Sequence, residues 1–298
     1  MHQLSIWKRW IQWEKDDPLV LKQDDVDSYH SRVLFVYKHA LMAMRYWPEL
    51  WSDASDFCFA EKMDAEGNDL LVRGIAANPE SCLLAFKRAD RVELTTANEE
   101  SDDKQRRAAA VREPYDKVLD ALYGLIQKTK NREDIDVARV EAQHAAVSSE
   151  SRANGQKEES HDDEDDDVPE EDKDKEKQKT EQVEGIKNMY AIQTRLLSQT
   201  LSHVWIALMR ALRRVQGKGA VGVGGARGIF SEARKRGRIT SDVYVQAALI
   251  EFHCYEPDTG KKIFDRGLKL FQEDENFALQ YIKHLVAIND HTSKLLTT

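Results

Sequence analysis

Between residues 186 and 215 the apolar positions fall at three- and four-residue steps: Ile186, Met189, Tyr190, Leu197, Leu201, Val204, Trp205, Leu208, Leu212 and Val215. That period puts them on one face of a long amphipathic helix. Helical spacing dominates the rest of the chain, and no convincing stretch shows the two-residue alternation of a half-buried strand. Pro48, Pro79 and Pro114 each precede a periodic segment, at positions that suit a first helical turn, where no N–H is needed. The intervals between them are short. The pattern predicts many helices joined by tight turns.

The helices repeat. Set against each other, GIFSEARKRGRITSDVYVQAALIEF and KIFDRGLKLFQEDENFALQYIKHL match at an offset of 34 residues: Ile229 with Ile263, Phe230 with Phe264, Ala233 with Gly267, Val243 with Phe277 and Ala247 with Tyr281. A weaker form of this two-helix unit recurs upstream. Its first helix opens apolar–aromatic, at Ile6-Trp7, Leu50-Trp51, Val204-Trp205 and Val243-Tyr244, with Ala85 in the aromatic slot of a looser third unit. The second helices read SRVLFVYKHAL, EPYDKVLDALYGLI, GARGIFSEAR and GKKIFDRGL. One such pair cannot bury its apolar face alone, whereas stacked pairs share a continuous core. The expected fold class is therefore all-α: a right-handed superhelical solenoid of antiparallel helix pairs. Trp7, Trp51, Trp205, Phe230, Tyr244 and Phe264 are its expected core markers, and Ala233, Ala247 and Gly267 its close-approach positions.

One segment departs from the pattern. Residues 148–182 hold one Val and no other sizeable apolar residue, so they bury too little to offset their ordering entropy. They read as a disordered acidic insert, dividing the chain into repeats at 1–147, an insert at 148–185 and further repeats of the same solenoid at 186–298. Charge follows this division. Of 53 acidic and 44 basic residues, thirteen and two lie in 158–176, leaving 40 against 42 elsewhere. The net charge of −9 thus belongs to the insert, and the folded part is close to neutral. The insert reads either as a solubilising spacer or as a regulated docking tail around Ser160, able to fold back over basic helix ends. Cys58, Cys82 and Cys254 lie far apart in sequence, which fits a reducing compartment. The first fifteen residues lack an apolar signal core, and no run approaches the ~20 apolar residues of a membrane span. A soluble intracellular protein is expected.

Candidate chemistry is sparse. Gly217, Gly219 and Gly222 in GKGAVGVGGARG spell G-x-G-x-x-G, with Asp242 twenty residues beyond. A dinucleotide site needs a strand before the glycines and a helix opening on them. Here the preceding HVWIALMRALRRVQ is helical and ends in basic residues suited to a helix C-terminus, so the run reads as an interhelix turn, with Ser241 or Asp242 capping a later helix. His253-Cys254 lacks a C-x-x-C or H-x-x-x-H partner motif, and nothing frames a nucleophile. No catalytic residue, metal or cofactor is expected. Two basic clusters stand out: Arg210, Arg213 and Arg214 end one helix, and Arg234, Lys235, Arg236 and Arg238 end the next. They read as solvated helix ends or as contacts for RNA or an acidic partner. Antiparallel pairing would put the clusters at opposite ends, and no aromatic residue nearby offers a base-stacking platform.

The helix pairs resemble half-a-TPR (HAT) repeats, in Trp7 with Glu14, Tyr244 with Glu251, and Arg227 beside Ile229-Phe230. More narrowly, IWKRWIQWEKDDPL, RVLFVYKHALMAMRYWPELWSDASDF and ARGIFSEARKRGRITSDVYVQAALIEFHC are similar to the family of the large scaffold subunit of cleavage stimulation factor and its fungal counterparts. The resemblance covers most of the chain outside 130–190. It implies a nuclear, non-catalytic scaffold of pre-mRNA cleavage and polyadenylation whose partners are protein subunits of that machinery. The alternatives are a HAT scaffold of splicing or ribosome assembly, or direct RNA binding through the basic helix ends. It further implies that homodimerisation uses repeats beyond Thr298, so a monomer with no membrane contact is expected for this chain.

Overall fold

The computed structural model describes residues 2–97, 104–155, 170–217 and 225–288. All regular structure among them is helical. The elements are α1 (His2–Lys15), α2 (Leu21–Asp24), α3 (Val26–Ala43), α4 (Pro48–Ala60), α5 (Asp64–Ala77) and α6 (Cys82–Ala97). Then follow α7 (Lys104–Gly155), α8 (Glu170–Gln216), α9 (Ala226–Arg236), α10 (Ser241–Cys254), α11 (Pro257–Leu270) and α12 (Glu275–Ala287).

Local chemistry sets the helix ends. Pro48 and Pro257 occupy the first turns of α4 and α11. Asp25 caps α3 by accepting from the Ser28 amide, and Asp274 caps α12 by accepting from the Phe277 amide, each at 3.1 Å. Pro114 corrects the sequence reading. It lies inside α7, which begins ten residues earlier at Lys104. The apolar face explains this, because Ala108 and Val111 before the proline are buried on the same side as Tyr115, Val118 and Leu119 after it. Burial of that continuous face outweighs the one hydrogen bond a proline removes. Helix also covers 148–155 and 170–185, the flanks of the segment expected to be disordered. Residues 176–182 are rich in Glu, Lys and Gln, which are strong intrinsic helix formers. The centre of the expected insert, 156–169, lies outside the described residues.

Contacts divide the chain into two compact units, cut within α7 and α8. The first holds residues 1–121, 204–237 and 241–298. Its helices pack on near neighbours in sequence: α1 on α3, α4 on α5, α10 on α11, and then α4 on α6 and α10 on α12. Such nearest-neighbour packing is that of stacked helix pairs. One apolar core runs from Ile11 through Val33, Tyr37, Leu50, Trp51 and Leu71 to Leu84. The C-terminal carbonyl of Arg45, just past α3, accepts from the Trp51 indole at 2.8 Å and from Asn78 at 3.1 Å. That satisfies a carbonyl just past the helix end.

The second unit comprises residues 122–203 and 238–240. Here the Tyr190 hydroxyl of α8 donates to Asp136 of α7 at 2.5 Å, and His144 of α7 meets Gln182 of α8 at 3.1 Å. Ser202 accepts from the Thr240 amide at 2.8 Å.

Candidate docking surface

The repeat markers sit where helices meet. Trp51, Trp205, Phe230, Tyr244 and Phe264 are buried, whereas Trp7 is half-buried and stacks on the exposed Trp10 at 5.6 Å. The 34-residue register carries packing: Phe230 meets Tyr244 edge-on at 5.1 Å, and Phe264 stacks on Tyr281 at 4.6 Å. Of the ten residues matched by that offset, Ile263 alone is neither buried nor a glycine, and it lines a cavity instead. The small positions face rings. A Cβ on Gly267 would lie 2.3 Å from Cζ of Phe277, and one on Gly74 would lie 2.9 Å from Cβ of Trp51. Gly74 belongs to α5, a second helix that the sequence reading passed over. Its two glycines argue against a helix locally, and only the facing aromatics account for them.

Charge inside this unit is committed to clamps between helices. Glu14 of α1, almost fully buried, takes a two-pronged guanidinium from Arg32 of α3 at 3.0 and 2.9 Å. Glu251 of α10 takes the same fork from Arg227 of α9. Hydrogen bonding to Glu251 raises the Arg227 pKa against the opposing effect of burial. In both cases the acid is the first-helix residue that the resemblance singles out. Arg227 also lies over the Tyr255 ring at 5.0 Å. Longer-range clamps join residues more than 110 positions apart: Arg112 with Glu232 at 2.7 Å, Arg214 with Glu93 at 2.7 Å, and Arg236 with Asp120 at 2.8 Å. No spacing rule reveals these from sequence.

Within the first unit, Arg210, Arg214 and Arg236 of the candidate basic residues are already engaged inside the fold. Arg214 is held by Glu93, Arg210 donates to Gln246 at 2.5 Å, and Arg213 is half-buried. Arg236 lies 5.9 Å over the Trp205 ring, about two helical turns (~12 Å) back along α8 from Arg213. Arg234 sits over its own helix's Phe230 at 5.6 Å. Lys235 is exposed, and Arg238 is exposed within the second unit.

Between α8, α9, α10 and α11, inside the first unit, lies a cavity of about 250 Å³. Met209, Ala226, Phe230, Ala247, Ile250 and Ile263 supply its apolar wall, and Arg227, Arg234, Glu251, Tyr255 and Thr259 its polar margin. Burial raises the Tyr255 phenol pKa. Ala226 and Arg227, at the described end of the glycine run, line this region. A helix, α8, leads into that run, Gly217 adopts φ 74° after the last helical residue, and Gly225 precedes α9. Residues 218–224 lie outside the described residues. Ser241 opens α10 and donates to Asp274 at 2.5 Å. His253 lies 6.5 Å from the buried His284, whose pKa is lowered by burial and then by His253. Among the described residues no group of three or more His, Cys, Asp or Glu is arranged to hold a metal.

Residues 1–295 match the Suppressor of forked protein (Suf) family. The chain belongs to the Suf family. The family accounts for the stacked HAT-type helix pairs of the first unit, and its fold is a helical-repeat solenoid. Among similar proteins, the mRNA 3'-end-processing protein rna14 of Emericella nidulans is 56% identical over 292 residues, covering 97% of this chain and 26% of the relative. The protein of that name in Aspergillus oryzae is 55% identical over 289 residues, covering 97% and 26%. That of Schizosaccharomyces pombe is 25% identical over 290 residues, covering 97% and 32%. The chain thus spans about a quarter of the length of its Aspergillus and Emericella relatives.

Proposed function

We propose that this chain is a non-catalytic scaffold arm acting in the nucleus, in pre-mRNA 3′-end cleavage and polyadenylation. It docks protein subunits of that machinery on its helical-repeat surface. The observation that carries this reading is the Suf match over residues 1–295, together with relatives named for mRNA 3'-end processing. The clamps support it physically: arginine forks fix the spacing of neighbouring helices, so the surface between them is preorganised for a partner. In this proposal the chain by itself is a monomer, and residues 148–185 are a lineage-specific acidic insert.

The test is affinity capture of the tagged chain from fungal nuclear extract, with and without nuclease, read by mass spectrometry. Cleavage and polyadenylation subunits retained after nuclease are expected. Splicing or ribosome-assembly factors, or retention lost with nuclease, would overturn the proposal. Light scattering at the monomer mass checks the assembly state.

A further inference from the structure

The cavity between α8 and α11 has the size and charge of an anchor for one side chain. At about 250 Å³ it falls below the ~300–1,000 Å³ of sites for whole small ligands. Its floor is aliphatic and aromatic, from Met209, Phe230, Ile250 and Ile263. The polar margin is uneven. Glu251 is neutralised by the Arg227 fork, whereas Arg234, at the same margin, holds no carboxylate among the described residues and rests only on the Phe230 face. An apolar floor beside one unpaired guanidinium suits a large apolar side chain with a carboxylate close by.

We propose that this cavity docks an acidic linear segment of a protein partner. One Leu, Phe or Trp of that segment fills the cavity, and an Asp or Glu within two residues of it pairs with Arg234. The inference rests on the scaffold reading and names the kind of partner segment it takes. A nucleobase fits less well, because the lining offers no amide pair to read a base edge.

The test uses the full chain to select from a random 12-residue phage-display library. Counter-selection uses two variants that keep the clamps: Thr259→Trp, which plugs the mouth, and Arg234→Glu. Circular dichroism checks that both fold. Ile250→Lys serves as a second block if Thr259→Trp does not. Enriched sequences are expected to carry a large apolar residue within two positions of an acid. Synthetic peptides made from them should lose about 30-fold in affinity when that residue becomes Ala, the scale of a hot-spot side chain. They should lose about tenfold against Arg234→Glu, and an acid-to-Lys exchange in the peptide should recover that loss. No enrichment, binders indifferent to the plug, or a 12-nucleotide single-stranded RNA that binds the chain and is displaced by the plug would each overturn the proposal. If the plugged variant still captures processing subunits from extract, the cavity inference fails and the scaffold reading stands. If the unmodified chain captures none, the scaffold reading itself fails.

Discussion

The Arg227–Glu251 fork gives the sharpest energetic test, because its two ends sit in different surroundings. The Glu251 side chain is 4% exposed, whereas that of Arg227 is 30% exposed. Arg227 also has a second acid, Glu256, at 3.8 Å and the Tyr255 ring at 5.0 Å. Replacing Arg227 with Met strands a carboxylate in the core, which should cost about 3–5 kcal/mol. Replacing Glu251 with Leu leaves a guanidinium that keeps water, Glu256 and an aromatic face. That should cost no more than about 1.5–3 kcal/mol, the range for hydrogen bonds to charged groups. Removing both ends together exchanges a buried ion pair for apolar packing and should lie near the unmodified chain. A double-mutant cycle should therefore give a coupling of at least ~3 kcal/mol, at the upper end of contacting pairs. Urea unfolding followed by circular dichroism supplies the four stabilities. Equal small losses for the two single variants, with an additive double variant, would refute the reading of this fork as a buried clamp.

Four further outcomes follow from the packing. Gly267→Ala should lose up to about 2 kcal/mol in urea unfolding, since overpacking against Phe277 costs about 1–3 kcal/mol and the gain in helix propensity returns about 1. Gly124→Ala, in a helix with nothing near the added methyl, should instead gain up to about 1 kcal/mol. Burial pushes the Cys58 thiol pKa up to about 11, so iodoacetamide at pH 8 should modify Cys254 first and reach Cys58 only in urea, as read by peptide mass spectrometry. The Ser241 hydroxyl holds the Asp274 carboxyl below its ordinary pKa. Its contribution is therefore complete above the unfolded value near pH ~4 and fades as pH falls through the folded value. Asp274→Ala should cost about 1 kcal/mol at pH 7, and thermal melts at pH 2 should show a smaller gap.

The repeat was legible where one residue does one job. Phe230 and Phe264 recur because each meets a ring of the helix that follows it, Tyr244 and Tyr281, so the 34-residue offset survives in the text of the sequence. Pro114 and α5 were misread or missed for a shared reason. Local propensity argues against helix at a proline and at paired glycines, and burial overrules it: Val111 and Tyr115 bracket the proline on one buried face, and Phe59 and Trp51 fill the space beside Gly67 and Gly74. The cavity lay further from view. Met209, Phe230, Ile250 and Thr259 come from four different helices, and no local period joins them.

The basic clusters show why composition alone misjudges a solenoid surface. Seven basic residues in two helix ends look like a binding patch for a polyanion. In the folded chain Arg214 and Arg236 hold Glu93 and Asp120, and Arg210 holds Gln246, so three of the seven already donate within the first unit. A phosphate backbone would have to compete with those bonds and would break clamps that link α8 and α9 to α6 and α7. Among the described residues Arg234 is under no such commitment, because its guanidinium rests on a ring and not on a carboxylate. A partner carboxylate can therefore take Arg234 without loosening any helix. The same difference in cost predicts that raising salt weakens an acidic peptide through one contact, with a shallow slope, and not through the many contacts of an RNA.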